Sequence, residues 1–162
     1  MRMNEFAKEF IAQSRTYLSS DFLPKIERSL EGLTDEDVWW RSGEESNSIG
    51  NLLLHLEGST RMWITDVAGG SKHERNRQQE FDERKHVSKS ELLDRMKRML
   101  GEADAALAGL RPEDLLEKRQ SRWGEVSVFY AVYHAVEHFS MHTGQILMLA
   151  KMRLGRDLRL SD

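Results

Sequence analysis

The amino-acid sequence predicts an all-α protein built as a bundle of four long helices. Apolar residues recur at helical spacing through four separate stretches, while the period-two alternation of strands is hard to find anywhere. The 162-residue chain also has only two prolines, Pro24 and Pro112, so little interrupts a long helix.

The first helix is expected over residues 4–31. Phe6, Phe10, Tyr17, Leu18, Leu23, Ile26 and Leu30 mark its apolar stripe, Pro24 predicts a kink or restart, and Gly32 supplies a stop. Thr34 is a natural N-cap for one short turn carrying Asp35, Glu36 and Asp37. Trp39 and Trp40 follow; adjacent tryptophans cannot both face the core, so one is expected against a neighbouring element. A polar connection over 43–47 leads to the second helix. This opens at Asn47 or Ser48 and runs to Ala68, with Leu52, Leu56, Trp63 and Val67 inward. Gly58 in its interior costs about 1 kcal/mol relative to alanine and permits the close approach of a neighbour.

Residues 69–87 are the least regular stretch. They read as a solvated surface loop, long enough to act as a lid or an oligomer contact. The third helix starts at the capping box Ser88-Lys89-Ser90-Glu91, buries Leu92, Met96, Met99, Leu100, Ala103, Leu107 and Leu110, and stops before Pro112. A second link contains Arg122-Trp123-Gly124-Glu125. Ser127 caps the last helix, which runs to Leu154 with Gly155 just beyond. Helices of about 20–28 residues span roughly 30–40 Å each. They pack most simply as a four-helix bundle forming one domain over residues 1–162. Links of about 15 residues can cross a bundle, so spacing leaves the connectivity open.

Composition narrows the function. Charged residues make up 31% and hydrophobic residues 39%, a soluble globular balance. There are 24 Lys and Arg against 27 Asp and Glu, mixed along the chain for a net charge of −3, which argues against a nucleic-acid partner. No apolar run approaches the ~18 residues of a membrane span, and MRMNEFAKEF lacks a signal-peptide core, so the cytoplasm is the simplest location. The absence of cysteine excludes disulfides, thiolate metal sites and a cysteine nucleophile, leaving His, Asp and Glu as strong metal ligands.

The six histidines are unevenly placed. His134, His138 and His142 stand at i, i+4 and i+8 on the last helix; random placement gives about 0.2 pairs four apart, and two occur. A His-x-x-x-His pair projects both imidazoles one way, toward a single zinc-like ion. His134 and His142 are about 12 Å apart along the axis, so His134 reads as a packing residue or an outer hydrogen-bond donor. The His-Glu-x-x-His peptidase motif is absent, because Phe139 stands where the glutamate would be. His55, flanked by leucines on the second helix, reads either as a third ligand or as a hydrogen-bonded core histidine. Gln145, Ser59 and Asn51, each about one turn from a candidate ligand, read as outer partners or as ordinary polar residues. Glu57 and Glu137 diverge from the neighbouring histidines by helical rotation and are not nominated as bases. His73 and His86 read as surface residues.

Two blocks give the sequence a family likeness. Asn47 to Gly58, NSIGNLLLHLEG, with Trp63 downstream, and His134 to Ile146, HAVEHFSMHTGQI, resemble the DinB/YfiT-like family over nearly the whole chain. Arg75-Asn76-Arg77 with Glu80-Phe81 fits an uncharacterised bacterial subgroup of it. The resemblance implies a four-helix bundle with up-down-down-up connectivity and long crossover links. It implies a divalent metal, nickel or zinc with iron or manganese as alternatives, held by His55, His138 and His142. It implies a homodimer, and for some relatives transfer or isomerisation chemistry with low-molecular-weight thiols such as bacillithiol or mycothiol. Two functional readings stand: a metal-dependent enzyme of thiol transferase or hydrolase type, and a non-catalytic metal-binding or stress-response protein. Without cysteine in the chain, any thiol must come from substrate or cosubstrate.

Overall fold

Four helical rods pack side by side in the computed structural model, which describes residues 2–84, 87–158 and 160. The first rod is α1 (Arg2–Thr16), a π-helical segment (Tyr17–Phe22) and α2 (Leu23–Ser29), continuous in backbone. Pro24 lies in the first turn of α2 and does not break the rod. In an α-helix its ring would clash with the carbonyl of residue 20 and leave it unbonded; the widened π turn sits over that residue. Gly32, at φ 83°, follows the rod's end.

The short helix α3 (Asp35–Trp39) has a full capping box from Thr34 and Asp37. The tryptophans that follow divide as expected. Trp39 is buried and donates its Nε1–H to the Val87 carbonyl at 2.8 Å, while Trp40 lies under the Arg153 guanidinium. The second rod joins α4 (Ile49–Thr60) to a π segment (Arg61–Ala68). Its N-cap is Ser48, fully buried, with Asn51 closing the box. α4 is buried at nearly every position, because it packs against both the third and fourth rods and is covered by a further segment.

The third rod is α6 (Lys89–Ala108) and the fourth α7 (Val128–Leu154). Ser88 caps α6 by accepting from the Glu91 N–H, and the next backbone donor, the Lys89 N–H, bonds the Asp35 carboxylate. Ser127 caps α7, whose last turn carries Lys151 and Arg153 before Gly155 at φ 61°. Leu18, Ile26, Leu56, Trp63, Met99 and Phe139 form the centre of the core, each 2% exposed or less.

Two expectations are corrected. First, a strand pair exists. β1 (Lys118–Ser121) and β2 (Gly124–Ser127) form an antiparallel hairpin, with Lys118 opposite Ser127 and Ser121 opposite Gly124. KRQS and GEVS bury too little to show alternation; the turn is held by Ser121, which accepts from the Trp123 N–H and donates to the Gly124 carbonyl. Second, 69–87 is not a featureless solvated loop. Within it α5 (Arg77–Asp82), capped by Asn76, lies against α4. No helix among the described residues is long and apolar enough to cross a membrane.

Candidate metal centre

Helical spacing puts His138 and His142 one turn apart on α7, and the packing of α4 on α7 brings His55 to them. His138 Nε2 lies 3.2 Å from His55 Nε2 and 3.1 Å from His142 Nε2. Among the described residues this is the one group of three such side chains whose donor atoms fall within 4.8 Å of one another. His55 is buried, and His138 and His142 are partly exposed.

The outer nitrogens set the chemistry of the inner ones. Glu80 Oε2 is 2.9 Å from His55 Nδ1 and can only accept, so Nδ1 is the donor in that bond and Nε2 is the nitrogen turned toward a metal. Gln145 Oε1, 2.7 Å from His142 Nδ1, does the same for His142. Burial first, then the neighbouring imidazoles, push His138 down to about 3; burial also lowers His142, against the opposing effect of its bond to Gln145. Three imidazoles thus turn their Nε2 atoms inward on one another. Such a cluster is electron-rich and short of donors. A single cation satisfies all three lone pairs together. With metal–nitrogen bonds of about 2.05 Å, adjacent ligands in a tetrahedron are ~3.3 Å apart, close to the two spacings here. The residues fit a divalent metal.

Glu80 is the residue that sequence reasoning missed. It lies on α5, has a largely buried side chain, and receives Arg75 in a two-pronged ion pair at 2.6 and 2.8 Å. Burial pushes its carboxyl up, but the bonds from His55 and Arg75 outweigh this and leave it below the ordinary range. Asn51 does not touch a histidine. Its Nδ2 donates to the Glu80 and Glu83 carbonyls at 2.9 and 3.2 Å, and Arg41 binds both Asn51 Oδ1 and the Phe81 carbonyl. These bonds fasten α5 over α4, and the Phe81 ring rests on His55 at 4.8 Å. The one signal of this arrangement in the sequence is Gly58, three residues after His55. A Cβ there would collide with Glu80 Oε1, so α4 lacks a side chain where the carboxylate sits.

The remaining candidates fall outside the cluster. His134 packs edge-on against Trp63 and pairs with Glu137 at 3.6 Å, one turn beyond His138. Ser59 is buried on α4 and forms no hydrogen bond with the three histidines. Glu57 is held by Arg61 and Arg95. His73 is exposed and bonds Asp66; His86 lies outside the described residues.

Comparisons with known proteins agree with this architecture. Residues 5–160 match the family described as "Protein of unknown function (DUF1572)". A DinB-like protein from Bacillus cereus superposes with a TM-score of 0.71 at 18% identity, covering 94% of this chain and 95% of that one. The DinB-like protein YjoA of Bacillus subtilis gives 0.66 at 19% identity, over 90% and 94%. A conserved protein from Enterococcus faecalis gives 0.67 at 14%, over 94% and 98%. At such identities the likeness is one of fold. No curated protein matches the sequence. With the match spanning almost the entire chain, the chain belongs to the DUF1572 family, and it shares its fold with DinB-like proteins.

Proposed function

We propose that this protein binds a divalent metal through His55, His138 and His142 and uses it as a metal-dependent enzyme of transferase or hydrolase type. The observation that carries the reading is the inward convergence of three imidazole Nε2 atoms, with two of the rings fixed from behind by Glu80 and Gln145. Nickel and zinc suit an all-imidazole set, as do iron and manganese less specifically. Bound there, the ion would supply Lewis acidity, lowering the pKa of a coordinated water or thiol. The three histidines hold, Glu80 and Gln145 orient, and Phe81 shields one face of His55 from water. A closed structural site has four protein ligands; no fourth strong ligand joins this group among the described residues, which favours catalysis over a purely structural role.

In this reading the substrate is a small molecule, with a low-molecular-weight thiol as one candidate, and nucleic acid and membrane are not partners. The mixed, slightly acidic charge supports that, and a cytoplasmic place is proposed for a chain whose described residues include no helix long and apolar enough to cross a membrane. A homodimer is the assembly proposed: Tyr133, Met141, Met148 and Met152 are all exposed along one side of α7, an apolar edge suited to a second copy.

Metal analysis of protein purified without a histidine tag tests the reading. One equivalent of metal, lost in His55→Ala and His138→Ala, is expected. Wild-type protein that takes up no nickel, zinc, iron or manganese after reconstitution would overturn it. A screen of thiol-conjugation and hydrolysis substrates with metal-loaded and metal-free protein then separates enzyme from binder, metal-dependent turnover deciding for the enzyme.

A further inference from the structure

Beside the histidines, a cavity of about 660 Å³ opens between the 73–77 segment and the tip of the β-hairpin, lined by Met62, His73, Arg75, Asn76, Arg77 and Arg122. Three of the six are arginines and none is a carboxylate, in a chain whose acidic residues outnumber its basic ones. Two of the three arginines have no carboxylate partner among the described residues, and the third keeps one edge free. Arg77 lies over the Phe81 ring at 4.8 Å and Arg122 over the Trp123 ring at 4.9 Å, and neither has a carboxylate within ion-pair distance among the described residues. Arg75 gives its Nε and Nη2 to Glu80, but its Nη1 has only the Met62 thioether sulfur, at 3.7 Å, as acceptor. Sulfur is a weak acceptor, so a partly buried guanidinium edge faces the cavity underused. Arginine on an aromatic face keeps its edge N–H groups free for an oxyanion, which it meets with two parallel bonds.

We propose that this cavity is an oxyanion-binding site, taking the carboxylate or phosphate group of a small anionic ligand between Arg75, Arg77 and Arg122. Its back wall is the triad's own support: Arg75 Nη2 is 3.3 Å from His55 Nδ1 and shares Glu80 with it. Its hairpin wall reaches the triad through Trp123, which stacks on Trp63, which in turn meets His134 beside His138. If the metal reading above holds, on which this step rests, the site anchors the charged end of a substrate whose reactive end lies at the three histidines.

The test is a titration of the full chain with inorganic phosphate and, separately, glutarate, at ionic strength held constant with sodium chloride. Tryptophan fluorescence is the readout, since Trp123 lies directly under Arg122. Chelator-treated and metal-loaded protein are compared in wild type and in Arg77→Gln/Arg122→Gln. Both arginines are exposed, so the variant is expected to keep its melting temperature. Saturable binding of one or both anions is expected, at least tenfold weaker in the double variant, with phosphate preference marking a phosphoryl ligand and glutarate preference a carboxylate. A response no different from sodium chloride, or a double variant that binds as wild type, would overturn the proposal. Because binding is measured with and without metal, failure of the metal site leaves this result readable, and the reverse is also true.

Discussion

Replacing Gly58 by alanine sets helix propensity against the site. Alanine is favoured over glycine inside a helix by about 1 kcal/mol, so on propensity alone Gly58→Ala stabilises α4. The added methyl, however, would overlap Glu80 Oε1 and stand 2.8 Å from Arg75 Nε and 3.1 Å from Glu80 Cδ. The backbone of α4 is packed on both sides, so the carboxylate is what yields. Moving it breaks the 2.9 Å bond from His55 and loosens the 2.6 and 2.8 Å bonds from Arg75. A hydrogen bond to a charged group is worth about 1.5–3 kcal/mol, so the net effect is a destabilisation of roughly 0.5–2 kcal/mol. Urea denaturation of metal-free protein measures this. Repeating it in a Glu80→Ala background removes the obstacle, and there the substitution should stabilise by about 1 kcal/mol. The change of sign amounts to a coupling of about 1.5–3 kcal/mol between positions 58 and 80. If Gly58→Ala stabilises both backgrounds equally, the glycine does not exist to seat Glu80.

Other expectations follow from the same contacts. Glu80→Gln keeps shape but removes the charge facing His55 and Arg75; metal affinity, read by competition with a chelator, should fall about 10–100-fold, and the metal-free protein should also lose about 1.5–3 kcal/mol in urea because Arg75 is left without its carboxylate. Ser48→Ala removes a fully buried N-cap hydroxyl and leaves the Asn51 N–H without its acceptor, a loss of about 1–2 kcal/mol in chemical denaturation. Asp37 is held down at about 2 by the Thr34 backbone N–H, then Arg153 and the Thr34 hydroxyl. A depressed carboxyl stabilises above its unfolded value and loses that contribution as pH falls through the folded one. Asp37→Asn should therefore flatten the melting temperature against pH between about 4 and 2, and an unchanged slope would assign the acid loss elsewhere.

The four rods were legible because each buries one stripe along many turns, and their ends because Ser48, Ser88, Ser127 and Gly155 have local chemistry that caps helices. The histidine pair on α7 was legible for the same reason, spacing within one helix. Glu80 and Arg75 were not. They sit in a polar stretch with no periodicity, and their role comes from Asn51 and Arg41 gripping backbone carbonyls of α5, bonds that leave no pattern in composition. The hairpin was hidden because its strands are four residues long and polar. The π segments were hidden too: Pro24 announced a disturbance, but not that the rod would absorb it by widening over Tyr17–Phe22.

The contact between His55 and His138 joins residues 83 apart in the chain. A permanent bond closing a loop of that size restricts the unfolded chain by about 4.5 kcal/mol in the chain-entropy account. An ion shared by the two rings acts on the same loop but reversibly, adding about 4 kcal/mol when its free concentration is a thousandfold above its dissociation constant. In a polypeptide with no cysteine, the triad is then the one place where a covalent-like tether between α4 and α7 is available. The durability of the bundle would follow the cell's supply of metal, where a cystine-linked protein follows its redox state.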